Sequence, residues 1–160
     1  MSVEDALAPR EPKPAPNTPA NVLEQLSMKN KVVAINGASD GIGFAVAEAI
    51  AEAGGDVALW YNTNDAAIEK ARKLAEKHNI RAAPYQVQVT DHGAVAKAIN
   101  QVVQDFGKLD VFVANAGMAI SKAITDQTIE EYRKQYAVNG EQSFAAAVII
   151  HDRRPAAFLF

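Results

Sequence analysis

From Lys29 onward, apolar and polar positions along this chain fall into two alternating textures. Short apolar runs occupy 32–35, 57–61, 82–89 and 109–114. The first, Val32-Val33-Ala34-Ile35, has no polar position, as expected of a strand buried on both faces. Between the runs the period changes from two to 3.6. Residues 42–53 are rich in alanine and stop at Gly54-Gly55, which predicts a helix that lies close to a sheet. Residues 65–78 predict a second helix with a stripe at Ile68, Ala71, Leu74 and Ala75. Asp65 is placed to cap it, and Glu69 precedes Lys73 by one helical turn. Asp91 is placed to cap a third helix, whose stripe Val95, Ile99, Val102, Phe106 ends at Gly107. Thr128 and Glu131 have capping-box spacing and open a fourth, carrying Ile129, Tyr132 and Tyr136. Ahead of all this, 21–26 predicts a short helical turn.

Strands that alternate with helices imply a parallel sheet with right-handed crossovers. The expected fold class is therefore α/β: a partial Rossmann-like, doubly wound parallel sheet of about four strands with flanking helices. In such sheets, ligands bind beyond the carboxyl ends of the strands, near the switch point. Residues 1–20 hold five of the seven prolines and predict a disordered leader, with a Pro-rich ligand for a partner domain as the other reading.

Composition narrows the function classes. Net charge is −3 and pI about 5.6, which argues against nucleic-acid and anionic-membrane partners. No cysteine is present, so disulfides and thiolate metal sites are excluded. His78, His92 and His151 have no metal-ligand spacing and read as surface or loop residues. The longest apolar run, 144–150, is too short to cross a bilayer. The N-terminus lacks a signal-peptide core and carries Glu4, Asp5 and Glu11, so the expectation is a cytoplasmic protein.

The strongest chemical signal is Gly37-Ala38-Ser39-Asp40-Gly41-Ile42-Gly43, between a strand and a helix. A dinucleotide-binding turn needs this placement. Gly37 permits a tight turn, Gly41 clears the way for a pyrophosphate, and Gly43 allows close helix–strand packing. Helix amides and the helix dipole then favour the phosphates. No Gly-Lys-Ser/Thr follows, which excludes a nucleotide-hydrolysing P-loop. The second run ends Trp60-Tyr61-Asn62-Thr63-Asn64, without the carboxylate that would hold an unphosphorylated ribose. Asn62, Thr63 and Ser39 are free to donate hydrogen bonds to a 2′-phosphate. NADP(H) is therefore expected over NAD(H), although no Arg or Lys lies near in sequence.

With Asn115-Ala116-Gly117 at the end of the fourth run, the glycine turn completes a set that resembles the short-chain dehydrogenase/reductase family. The likeness is nearest to fungal NADP-dependent polyol dehydrogenases of the mannitol dehydrogenase and sorbose or xylulose reductase type. It covers 21–139. The resemblance implies that Asn115, Ala116 and Gly117 steady the sheet and meet the cofactor. Gln88 stands where the family often has Asp against the adenine. Asn139 matches the asparagine of the catalytic tetrad, which helps hold a relay water.

The family's serine and Tyr-x-x-x-Lys come later than this asparagine. Here Tyr61, Tyr85, Tyr132 and Tyr136 are followed four residues on by Asp65, Val89, Tyr136 and Gly140. The chain is therefore expected to be a catalytically inactive member of a polyol or ketose oxidoreductase family. A non-catalytic NADP(H)-binding module, or a defective product, is the alternative. Residues 140–160 read as a non-family tail, with the later strands missing. A retained intron or frame change after the Asn139 codon would produce such a break. An open edge on the fourth strand and a damaged subunit interface are the expected consequences. Residues 145–150 could cover that edge as a strand or helix.

Overall fold

The computed structural model describes residues 21–151 and 157–159; the expected leader, 1–20, lies outside them. A short helix α1 (Val22–Gln25) precedes the alternation β1 (Val32–Asn36), α2 (Gly41–Glu52), β2 (Asp56–Tyr61), α3 (Ala66–His78), β3 (Ala82–Gln86), α4 (His92–Phe106) and β4 (Val111–Val113). A 3₁₀ turn (Ile124–Asp126) leads to α5 (Ile129–Tyr136), a π-helical turn (Ala137–Glu141), α6 (Gln142–His151) and β5 (Ala157–Leu159). The sheet is parallel, in the order β3-β2-β1-β4-β5. The chain winds outward from β1 through β2 to β3, then returns to β1's other side with β4. The switch point therefore lies between β1 and β4.

Alternate side chains of the central strands feed two cores. Val32, Ala34, Ala58, Trp60 and Phe112 join the α4 stripe, now seen buried at Val95, Ile99, Val102 and Phe106. Val33, Ile35, Val57 and Leu59 face Ala47 and Ala51 of α2 and Ala71 and Leu74 of α3. Each fully buried Val, Leu or Ile contributes about 1.5–3 kcal/mol of transfer free energy. Trp60 meets Phe112 edge to face at 5.2 Å between ring centres. Among the described residues no helix is long and apolar enough to cross a membrane, and no cluster of His, Cys, Asp and Glu could hold a metal ion.

Four local expectations are revised. Asp65 makes no side-chain cap to α3; Asn64 does, accepting from the Ala66 amide at 3.2 Å. Ala71 and Leu74 of the expected α3 stripe are buried, but Ile68 is half exposed and Ala67 is buried in its stead. The sheet register places Tyr61 opposite Gln86, so β3 ends where its partner β2 ends rather than at Val89. The predicted 109–114 strand is shorter in the ladder because side-chain bonds take over at both its ends.

One of those bonds has a pH consequence. Asp110, a fifth exposed, accepts the Val32 amide at 2.8 Å and pairs with Lys108 at 2.9 Å. Burial opposes its charge, but Lys108, the Val32 amide and Lys31 together hold its carboxyl below the usual value. A depressed carboxylate stabilises the fold above its unfolded pKa and loses that contribution as pH falls through the folded value. The urea midpoint should therefore drop between pH 7 and about pH 3, and drop less in Asp110→Asn. Equal drops in both chains would show that Asp110 is not a source of the acid sensitivity.

The described parts of the tail pack on the rest of the fold. Residues 145–150 lie in α6, with Ala146 and Ile150 buried in the α4-side core. β5 pairs with β4 from Val111↔Ala157 to Val113↔Leu159, so the edge expected to be open carries a fifth strand.

Candidate cofactor site

The site is built on one residue that pattern reading passed over. Asn36 ends β1 and is fully buried. Its Oδ1 accepts the Asn115 amide at 2.6 Å and the Ala116 amide at 2.5 Å. Its Nδ2 donates to Gln142 Oε1 at 2.6 Å, and its backbone carbonyl accepts from Asn115 Nδ2 at 3.0 Å. Asn115 Nδ2 also reaches Gly37 O at 3.3 Å. The ends of β1 and β4, the glycine turn and α6 therefore meet at one buried polar junction. Burial in a low-dielectric setting makes each of these bonds costly to break.

The glycine turn is held from three sides. The Ala38 amide donates to Trp60 O at 3.0 Å, which hangs the turn on β2. Gly37 has φ +64°, and a Cβ there would lie 3.0 Å from Ala116 Cα. At Gly43 a Cβ would press on Gly37 O and lie 2.5 Å from Asn115 Nδ2, so close packing demands glycine. Gly41 is different: a Cβ there would meet no atom within 4 Å. That open space sits at the first residue of α2, where amides and dipole favour an anion.

A cleft of about 510 Å³ opens beside the turn. It is lined by Gly37 and Ser39, by Asn62 and Thr63 beyond β2, by Gln88 beyond β3, and by Asn115, Ala116 and Gly117 beyond β4. These eight expected residues are thus brought together. Gly43 is buried in the packing beneath, and Asp40, Gly41 and Ile42 stand exposed at the start of α2. Ile42 is not part of the lining; its side chain is 78% exposed. Trp60, Met118, Lys134 and Val138 also line the cleft. The Trp60 indole Nε1 is buried without a hydrogen-bond partner. Gln88 Nε2 donates to Thr90 Oγ1 at 3.1 Å and shares the cleft wall.

Asn139 lies in the π-helical turn, a form that recurs at functional sites. Its Nδ2 donates to Met118 O at 2.9 Å and its Oδ1 accepts the Met118 amide at 2.8 Å. This reciprocal pair joins the turn to the irregular segment that follows Gly117.

The family model for short chain dehydrogenase matches residues 31–152. The chain belongs to that family. The match runs past Asn139, so residues 140–152, set apart in the sequence reading, fall inside it. A sorbose reductase of Candida albicans is 52% identical over 108 residues, 68% of this chain and 38% of that protein. A probable NADP-dependent mannitol dehydrogenase of Yarrowia lipolytica is 47% identical over 107 residues, 67% of this chain and 38% of that one. The crystal structure of an NADPH-dependent 3-quinuclidinone reductase from Rhodotorula rubra superposes with a TM-score of 0.85 at 41% identity, covering 94% of this chain and 58% of that one. This short-chain dehydrogenase thus spans 38% of the two curated relatives.

Besides Trp60, Met118, Lys134 and Val138 in the lining, three supporting residues escaped sequence reasoning. Asn36 read as the polar end of a strand. Gln142 lay in the segment set apart as tail, yet it is 2% exposed and bonds Asn36. Lys70 is 30 residues from the glycine turn, yet its Nζ donates to Ser39 O at 2.7 Å. Topology held a signal for Lys70: the first turn of the helix after β2 must start at the edge where the glycine turn lies.

Proposed function

We propose that this chain supplies the NADP(H)-binding part of a polyol dehydrogenase or ketose reductase. On the same reading its 160 residues bind the dinucleotide without reducing a ketose. The observation that carries the reading is the Asn36 junction, which fixes an open-fronted glycine turn against Asn115-Ala116-Gly117 beside the cleft. When bound, the cofactor would supply or accept hydride at its nicotinamide ring. Around it, the Gly41 end of α2 takes the diphosphate. Ser39, Asn62 and Thr63 take the adenosine ribose and its phosphate, and Gln88 takes the adenine. Asn115 and Gly117 support the ribose on the nicotinamide side, and Asn139 holds the relay water.

Hydride transfer also needs a proton donor whose pKa is brought toward neutrality. In the family a tyrosine with a lysine four residues later does this, and none of the four tyrosines here has that lysine. A folded binding module is favoured over a defective product by the packing of Gln142, Ala146 and Ile150 beneath the cleft.

Trp60, the single tryptophan, lines the cleft and can pass excitation to a reduced nicotinamide. Titration should give saturable energy transfer with NADPH, tighter than with NADH. Adding sorbose should cause no oxidation of NADPH. Tighter NADH binding would remove the cofactor assignment; ketose-dependent oxidation would remove the claim of inactivity.

A further inference from the structure

The glycine turn carries a charge problem that a 2′-phosphate would meet. Asp40 sits within it, and its carboxylate is 82% exposed. It makes no side-chain cap to α2. A carboxylate beside a phosphate subsite disfavours the phosphorylated dinucleotide, for the reason an acidic residue at the end of β2 selects the unphosphorylated one.

Lys70 answers that charge. It stands in the first turns of α3, and its ammonium pairs with Asp40 Oδ1 at 3.2 Å. The same group donates to Ser39 O at 2.7 Å and lies 4.3 Å from the Phe44 ring centre. Three partners on one elongated side chain fix a cation at the turn, and its side chain is only 27% exposed. The carbonyl it binds belongs to Ser39, which lines the cleft. Lys70 therefore both braces the turn and offsets the one carboxylate within it.

We infer that Lys70 is a specificity-determining residue: by cancelling Asp40, it lets the turn prefer a dinucleotide that carries a 2′-phosphate. The inference rests on the dinucleotide reading above. It acts through charge, so it predicts a difference between two cofactors rather than a general loss.

The test is a set of titrations with NADPH and NADH on the whole chain, followed by Trp60 energy transfer. The native chain should prefer NADPH. Lys70→Met should lower affinity for NADPH about fivefold more than for NADH, the scale of one partly exposed charge acting through a high dielectric. Asp40→Asn should raise the NADPH-to-NADH affinity ratio. The double variant should return the ratio close to the native value. Raising salt to about 0.5 M should shrink all these differences. Equal losses for both cofactors in Lys70→Met, with no change of ratio in Asp40→Asn, would leave Lys70 a brace only; NADP(H) binding would still stand. A native chain that prefers NADH or binds neither would overturn the cofactor reading and this inference together. Should Lys70→Met fail to fold, the exposed Asp40→Asn decides alone: an unchanged ratio overturns the inference.

Discussion

Asn36→Ala will lower the stability of this chain by about 3 kcal/mol, since three buried groups lose their partner at about 1–3 kcal/mol each. Those groups are the Asn115 amide, the Ala116 amide and Gln142 Oε1. The two amides adjoin the cleft, where water can partly replace the lost acceptor, which is why the lower figure per group is used. A domain of this size shifts its Tm by about 2–4 °C per kcal/mol, so a fall of about 6–12 °C is expected. Gln142→Ala removes the acceptor of Asn36 Nδ2 and a long donation to Ala116 O at 3.5 Å, and should cost less, about 1–2 kcal/mol. The two effects should not add, because the residues share a hydrogen bond. Urea unfolding of the two single variants and the double gives the comparison. A loss below about 1 kcal/mol for Asn36→Ala would mean that water satisfies the junction fully.

The same residue shows what a sequence conceals. Nothing local marks Asn36, because its partners lie about 80 and 106 residues away. Gln142 was hidden twice over, by distance and by standing in a stretch whose texture departs from the expected helix. Signals confined to one turn were legible. Asp91 accepts from the Ala94 amide at 3.0 Å, and Thr128 and Glu131 form the complete capping box. Gly107 ends α4 at φ +84°. Each needs no knowledge beyond four residues.

The ends of β3 and β4 were not legible, unlike those of β1 and β2, since a strand stops where its neighbour stops, and the neighbour is remote. The face of α3 was misread at one position: Ala71 and Leu74 are buried as expected, but Ala67 rather than Ile68 completes the stripe. Hydrophobicity alone ranks isoleucine ahead of alanine. The cofactor preference was argued from a carboxylate missing beyond β2. A carboxylate, Asp40, does sit in the glycine turn, and its counter-ion arrives from α3. Sequence spacing showed neither the pairing nor its geometry.

Gly43→Ala sets two rules against each other and lets the structure choose. Alanine is the better helix former by about 0.8–1.0 kcal/mol, so propensity predicts a more stable chain. The contact geometry predicts the reverse. The new methyl would press on Gly37 O and lie 2.5 Å from Asn115 Nδ2. Neither can retreat: Gly37 is fixed by the turn, and Asn115 Nδ2 is bonded to Asn36 O and Gly37 O. Overpacking of this kind costs about 1–3 kcal/mol. A net loss of about 1–2 kcal/mol is therefore expected after propensity is counted. The relief must come by moving the turn, so NADPH affinity should also fall tenfold or more, on the order of 1.4 kcal/mol. Gly41→Ala is the contrast. Its methyl meets no protein atom, so it brings only the left-handed backbone strain at φ +56°, about 1–2 kcal/mol. Yet it fills the space kept for the diphosphate. Gly41→Ala should leave a folded chain that binds NADPH poorly, while added sulfate stabilises it less than the native chain. If Gly43→Ala instead raised the urea midpoint and kept NADPH affinity, the close packing of α2 on β1 and β4 would be wrong. The glycine turn would then need another explanation.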